Sequence, residues 1–137
     1  MEEDTMPQGP EHVEAALKLI QSASDRLSAG TQFPKLEGVR EDWRSEAVAR
    51  LSSTAALLRA TMDRFFLKTR LCLPFARRCE DEARKLDALL AELSAQPAAD
   101  AGGNCAPAQR LNAALQALEQ AAKTLDERSL MQGMAIT

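Results

Sequence analysis

From Val48 to Leu93 the chain places an apolar residue alternately three and four positions on: Val48, Leu51, Ala55, Leu58, Met62, Phe65, Thr69, Cys72, Ala76, Cys79, Ala83, Leu86, Leu90 and Leu93. Only Thr69 in this series is polar. A 3.5-residue period held this long predicts a helix that buries one continuous stripe against other helices. The period crosses Pro74 without changing phase. A proline inside a helix removes one hydrogen bond, here to the carbonyl of Arg70, and bends the axis at a cost of about 3 kcal/mol. Its flanks, Leu71-Cys72-Leu73 and Phe75-Ala76, lack the polar or glycine residues of a chain reversal. The pattern therefore predicts one long central helix over 41–95, kinked at Pro74.

Shorter periodic segments flank it. Gly9-Pro10-Glu11 opens a first helix over about 10–29, with an apolar face of Val13, Ala16, Leu17, Ile20, Ala23 and Leu27 and with Gly30 beyond it. Residues 30–40, with two glycines and Pro34, form a loop, and acidic Glu41-Asp42 open the second helix. Residues 96–106 form a second loop. Pro107 opens a last helix over 107–129 whose face is Ala108, Leu111, Leu115, Leu118, Ala122 and Leu125. An apolar tail, 130–137, follows, and the acidic residues 1–9 are expected to be disordered.

The fold class is all-α. The preferred arrangement has three helices with a coiled-coil-like seam on the long one. A four-helix up-down bundle is the alternative if the chain reverses at Pro74. In the three-helix arrangement the long helix spans about 82 Å and each short one about 30 Å, so its middle stays uncovered. Leu57, Phe66, Leu67, Leu71, Leu73 and Phe75 make that middle apolar off the seam as well, which calls for a partner or a second copy.

Composition changes little in this picture. One domain's length, 137 residues, carries no tyrosine, one tryptophan and one histidine, which argues against a β fold. No run of 18 apolar residues is present, so no membrane span is expected. The N-terminal Met1-Glu-Glu-Asp-Thr is neither a secretory signal nor a mitochondrial presequence. Three cysteines without an export signal read as reduced thiols, in the cytoplasm or the nucleus.

Charge is more informative locally. Net charge is −3, yet Arg64, Lys68, Arg70, Arg77 and Arg78 fall within residues 64–78, where no acid occurs. Interleaved with Phe65, Phe66, Leu71, Leu73 and Phe75, they read as the basic rim and apolar centre of a protein interface. Nucleic-acid contact by the same stretch is the runner-up. A self-contained bundle that carries an apolar ligand is a third class.

Catalytic chemistry finds no constellation. Cys72 and Cys79, seven apart, share a face but not the spacing of a helical zinc pair. His12 has no thiol or hydroxyl partner at a useful spacing, and Glu80-Asp81-Glu82 point to different sides of one helix. Neither a metal, a cofactor nor an enzymatic activity is expected.

A helix, a loop, a tryptophan near the start of the second helix and an alanine-rich second helix together resemble the WXG-type helical hairpins of specialised bacterial secretion. Trp43-Arg44-Ser45 stands in the motif's place, with serine where that family has glycine, and the likeness covers roughly residues 11–70. The tyrosine of that family's secretion tail has no counterpart here. The resemblance implies a secretion substrate or partner. The residues themselves favour a non-catalytic adaptor or scaffold subunit that docks through its long helix onto itself or onto other helical proteins.

Overall fold

A computed structural model describes residues 9–29, 42–65, 72–95 and 106–136. Among these residues there are four helices and no strand: α1 (Gly9–Ser28), α2 (Trp43–Phe65), α3 (Leu73–Ala95) and α4 (Ala106–Ile136). The four-helix alternative fits this arrangement. The continuous helix over 41–95 does not, because α2 ends at Phe65 and α3 begins at Leu73.

Pro74 explains how the seam can stay in phase while the helix stops. It is the second residue of α3, where its missing N–H would have had no intrahelical acceptor and its fixed φ suits the first turn. A proline that would kink a helix from within instead starts one. The reversal lacks the polar residues expected of it because the apolar residues beside the proline pack inward: Cys72 and Ala76 are buried, and Leu73 and Phe75 are half-buried.

Neighbouring pairs in the bundle are α1 with α2, α1 with α3, α2 with α4 and α3 with α4. Consecutive helices α2 and α3 therefore stand diagonally opposite. Directions follow from contacts along each pair. Cys72 lies beside Ser129 and Arg110 reaches Glu92, so α3 and α4 are antiparallel. Arg50 reaches Asn112 and Glu119 while Thr61 reaches Asp126, so α2 and α4 are parallel. His12 meets Glu80 and Arg26 meets Asp87, so α1 and α3 are parallel too. The molecule is thus two antiparallel hairpins, α1–α2 and α3–α4, laid side by side.

All six positions read as the apolar face of α1 are buried, and the seam residues from Cys72, just before α3, to Leu93 within it are buried as the period predicts. On α2 the buried line is rotated. Ala47, Leu51, Thr54, Leu58 and Thr61 are buried, while Val48, Ala55 and Met62 pack half-exposed against that core. Threonines are tolerated inside because each hydroxyl donates to the carbonyl one turn back, Thr54 to Arg50 at 2.9 Å and Thr61 to Leu57 at 2.9 Å. Helix α4 runs to Ile136, beyond the expected end at Ser129. Ser129 does not close the helix but is buried, its Oγ 3.6 Å from Cys72 Sγ.

Candidate protein-docking site

The end of the bundle where α2 stops, α3 starts and α4 overruns both gathers several of the residues singled out above. Arg64 is in the last turn of α2, and Leu73, Phe75, Arg77 and Arg78 are in the first two turns of α3. Phe65 is the last residue of α2. Phe66, Lys68, Arg70 and Leu71 lie outside the described residues.

Folding changes what these residues offer. Phe75 is half-buried against the core, with the Arg128 guanidinium 5.5 Å above its ring, a cation–π contact. Arg64 forms an ion pair with Asp126, whose Oδ1 lies 2.8 Å from Thr61 Oγ1 and shares that hydroxyl's one proton with the Leu57 carbonyl. Arg77 and Arg78 are exposed. Asp126 of α4 pairs with Arg64, so folding brings an acid to the positive run that the run itself lacks. An acid-free stretch of chain says nothing of the acids its neighbours supply.

The tail that the sequence left either docked or awaiting a partner forms the last turns of α4, and it carries the exposed large hydrophobic residues among those described: Leu130 at 42% and Met131 at 60% exposure. Ser129 is level with Cys72, so everything from Leu130 onward projects past the first residue of α3. That overhang, 130–136, is about 10 Å of helix. The signal was present as an apolar tail, but its helical state was not, since the 3-4 pattern fades after Leu125.

Among the described residues there is no group of three or more His, Cys, Asp and Glu placed to hold a metal ion. Cys72 and Cys79 are both buried. Burial pushes the Cys79 thiol up to about 12, which keeps it protonated and unreactive. Glu80 takes hydrogen bonds from His12 and from Arg84, and these hold its carboxyl below the usual range, His12 contributing most.

No helix among the described residues is long and apolar enough to cross a membrane. The chain matches no known protein family, no curated protein and no solved structure.

Proposed function

We propose that the chain is a non-catalytic helical adaptor that docks, through the end of the bundle where α4 overhangs, onto helices of itself or of another protein. The observation that carries this reading is the exposure of Leu130 and Met131, among the described residues, on a helix end that runs past the first residue of α3. Half-buried Leu73 and Phe75 lie at the same end in the first turn of α3, Arg128 stacks over Phe75, and Arg77 and Arg78 are exposed in the next turn. An apolar centre with a charged border is the usual anatomy of a helix-docking surface.

A photo-crosslinking residue at position 131, compared with one at exposed Ala113 near the other end of α4, tests this. Position 131 is expected to give a discrete adduct whose partner peptide, read by mass spectrometry, is an apolar helix. Leu130→Glu should abolish that adduct with helicity unchanged. Equal, diffuse adducts from both positions would count against the proposal.

A further inference from the structure

The helix directions bring the starts of α1 and α3 and the ends of α2 and α4 to one pole of the bundle, the pole from which α4 overhangs. Charges that face inward between the hairpins are satisfied. Among the described residues four ion pairs join them: His12 with Glu80, Arg26 with Asp87, Arg50 with Glu119 and Arg64 with Asp126. In each, the base belongs to α1–α2 and the acid to α3–α4. Arg50 is held in bidentate fashion, its Nε donating to Glu119 Oε2 at 2.7 Å and its Nη2 to Oε1 at 2.8 Å.

The exposed charges left over at that pole have the opposite sense. On α1–α2 they are acids: Glu11 and Glu14 in the first two turns of α1 and Asp63 in the last turn of α2. On α3–α4 they are bases: Arg77 and Arg78 in the second turn of α3, and Arg128 over Phe75. None of these six forms an ion pair among the described residues. Glu127 is the exposed acid on the basic side, and exposed Arg64 on the acidic side is already held by Asp126. The helices themselves do not account for this placement. Asp63 stands at the negative end of α2, where an acid is disfavoured, and the first turn of α3 carries no acid beside the arginines that follow. One pole of the molecule is thus acidic on one hairpin and basic on the other, with Leu130 and Met131 exposed on the basic hairpin.

A surface divided in this way is complementary to itself after a half-turn, because a two-fold axis between its halves sets each against its opposite. From this we infer that the docking partner is a second copy of this chain, joined pole to pole about a two-fold axis. The α4 overhang of each copy lies against the α1–α2 end of the other. Arg77, Arg78 and Arg128 of one copy then approach Glu11, Glu14 and Asp63 of the second, and the same set forms again in the reverse sense. Leu130 and Met131 are covered in the same contact, where half-buried Pro10 and Met62, in the turns that carry those acids, add apolar surface. The charges set orientation and choice of partner, and the apolar residues between them supply the buried centre. Both halves of the surface are used within one pair, so association stops at two. The inference rests on the docking reading above and names its partner.

Charge inversion at exposed positions tests it without touching the core. One variant carries Arg77→Glu, Arg78→Glu and Arg128→Glu, so both halves of its pole are acidic. A second carries Glu11→Lys, Glu14→Lys and Asp63→Lys, so both are basic. In sedimentation equilibrium the wild type is expected to pass from monomer to dimer as its concentration rises. Each variant alone should keep its helicity and associate about tenfold more weakly or worse, and their equimolar mixture should recover a 1:1 dimer as tight as the wild type's. A wild type that stays monomeric at every concentration, or a mixture that associates no better than either variant alone, overturns the inference. A second measurement leaves every charge in place. Isotopically heavy copies with the photo-crosslinking residue at position 131 are mixed with light copies that lack it. Adducts should join heavy to light chains, the light peptide coming from the first turns of α1 or the last turns of α2. Adducts that never join heavy to light would sink the proposal. If the dimer fails while the adduct at position 131 contains a different protein, the docking reading stands and only the choice of partner is wrong.

Discussion

Cys79 and Glu80 are adjacent in sequence and face opposite problems. Burial raises the Cys79 thiol to about 12, so the folded state keeps a proton that the unfolded thiol gives up near its ordinary value. The stability this contributes is complete below that ordinary value and is lost as pH rises toward 12, at up to about 1.4 kcal/mol per pH unit. No tyrosine titrates in the same window. Urea midpoints measured from pH 8 to 10.5 should therefore fall more steeply for the wild type than for Cys79→Ala. Glu80 behaves in the opposite sense. Its carboxyl is lowered by His12 first and by Arg84 second, so its contribution is present above the unfolded carboxyl value and disappears as pH falls through the folded one. Glu80→Gln should melt below the wild type at pH 6, and the two should converge by pH 3. A gap that persists in acid would mean that Glu80 acts through packing.

Helix by helix, what the sequence disclosed depended on how many neighbours each helix has and of what kind. The face of α1 and the face of α3 were legible because their buried positions are aliphatic, alanine or cysteine. On α2 the reading slipped by about one position, since Thr54 and Thr61 satisfy their hydroxyls internally and enter the core as if apolar. The reversal between α2 and α3 was legible only as the four-helix alternative, not as the preferred arrangement. Periodicity reports which side of a helix is buried, and it is silent about whether the axis continues, because a proline is as much at home in a first turn as at a bend. This yields a test at the level of the element. Pro74→Ala should change the stability of the folded chain by less than about 1 kcal/mol, as expected for a first-turn position, whereas relief of a mid-helix proline would add about 3 kcal/mol. Chemical denaturation of the two proteins decides between them. At the core, Leu58→Ala is expected to cost 2–5 kcal/mol, on the order seen for fully buried leucines, measured by the same denaturation.

At the scale of the molecule, cohesion is of two kinds. Aliphatic side chains from all four helices form one hydrophobic core, and directional polar contacts concentrate between the hairpins. The Arg50–Glu119 pair is the best formed of these, and both side chains are partly shielded from solvent. A double-mutant cycle with Arg50→Met and Glu119→Gln should return a coupling of about 1 kcal/mol, shrinking as salt rises from 0.05 to 0.5 M. Zero coupling at low salt would make the pair ornamental. The candidate site was only half legible at this scale. Leu73, Phe75, Arg77 and Arg78 do lie together at one end, but the sequence could not show that Asp126 would meet Arg64. Nor could it show that the most exposed apolar residues would belong to α4.

Trp43 opens α2 and is buried at the end of the bundle away from the α2–α3 junction, some 33 Å of helix from Phe65. Because it is the chain's one indole, its fluorescence reports on the far pole of the molecule and ignores events at the junction. Emission that holds steady while hydrodynamic size doubles would mark association without melting, and a red shift that accompanies the change in size would mark global unfolding instead. Nature has thus supplied the chain with its own internal reference dye.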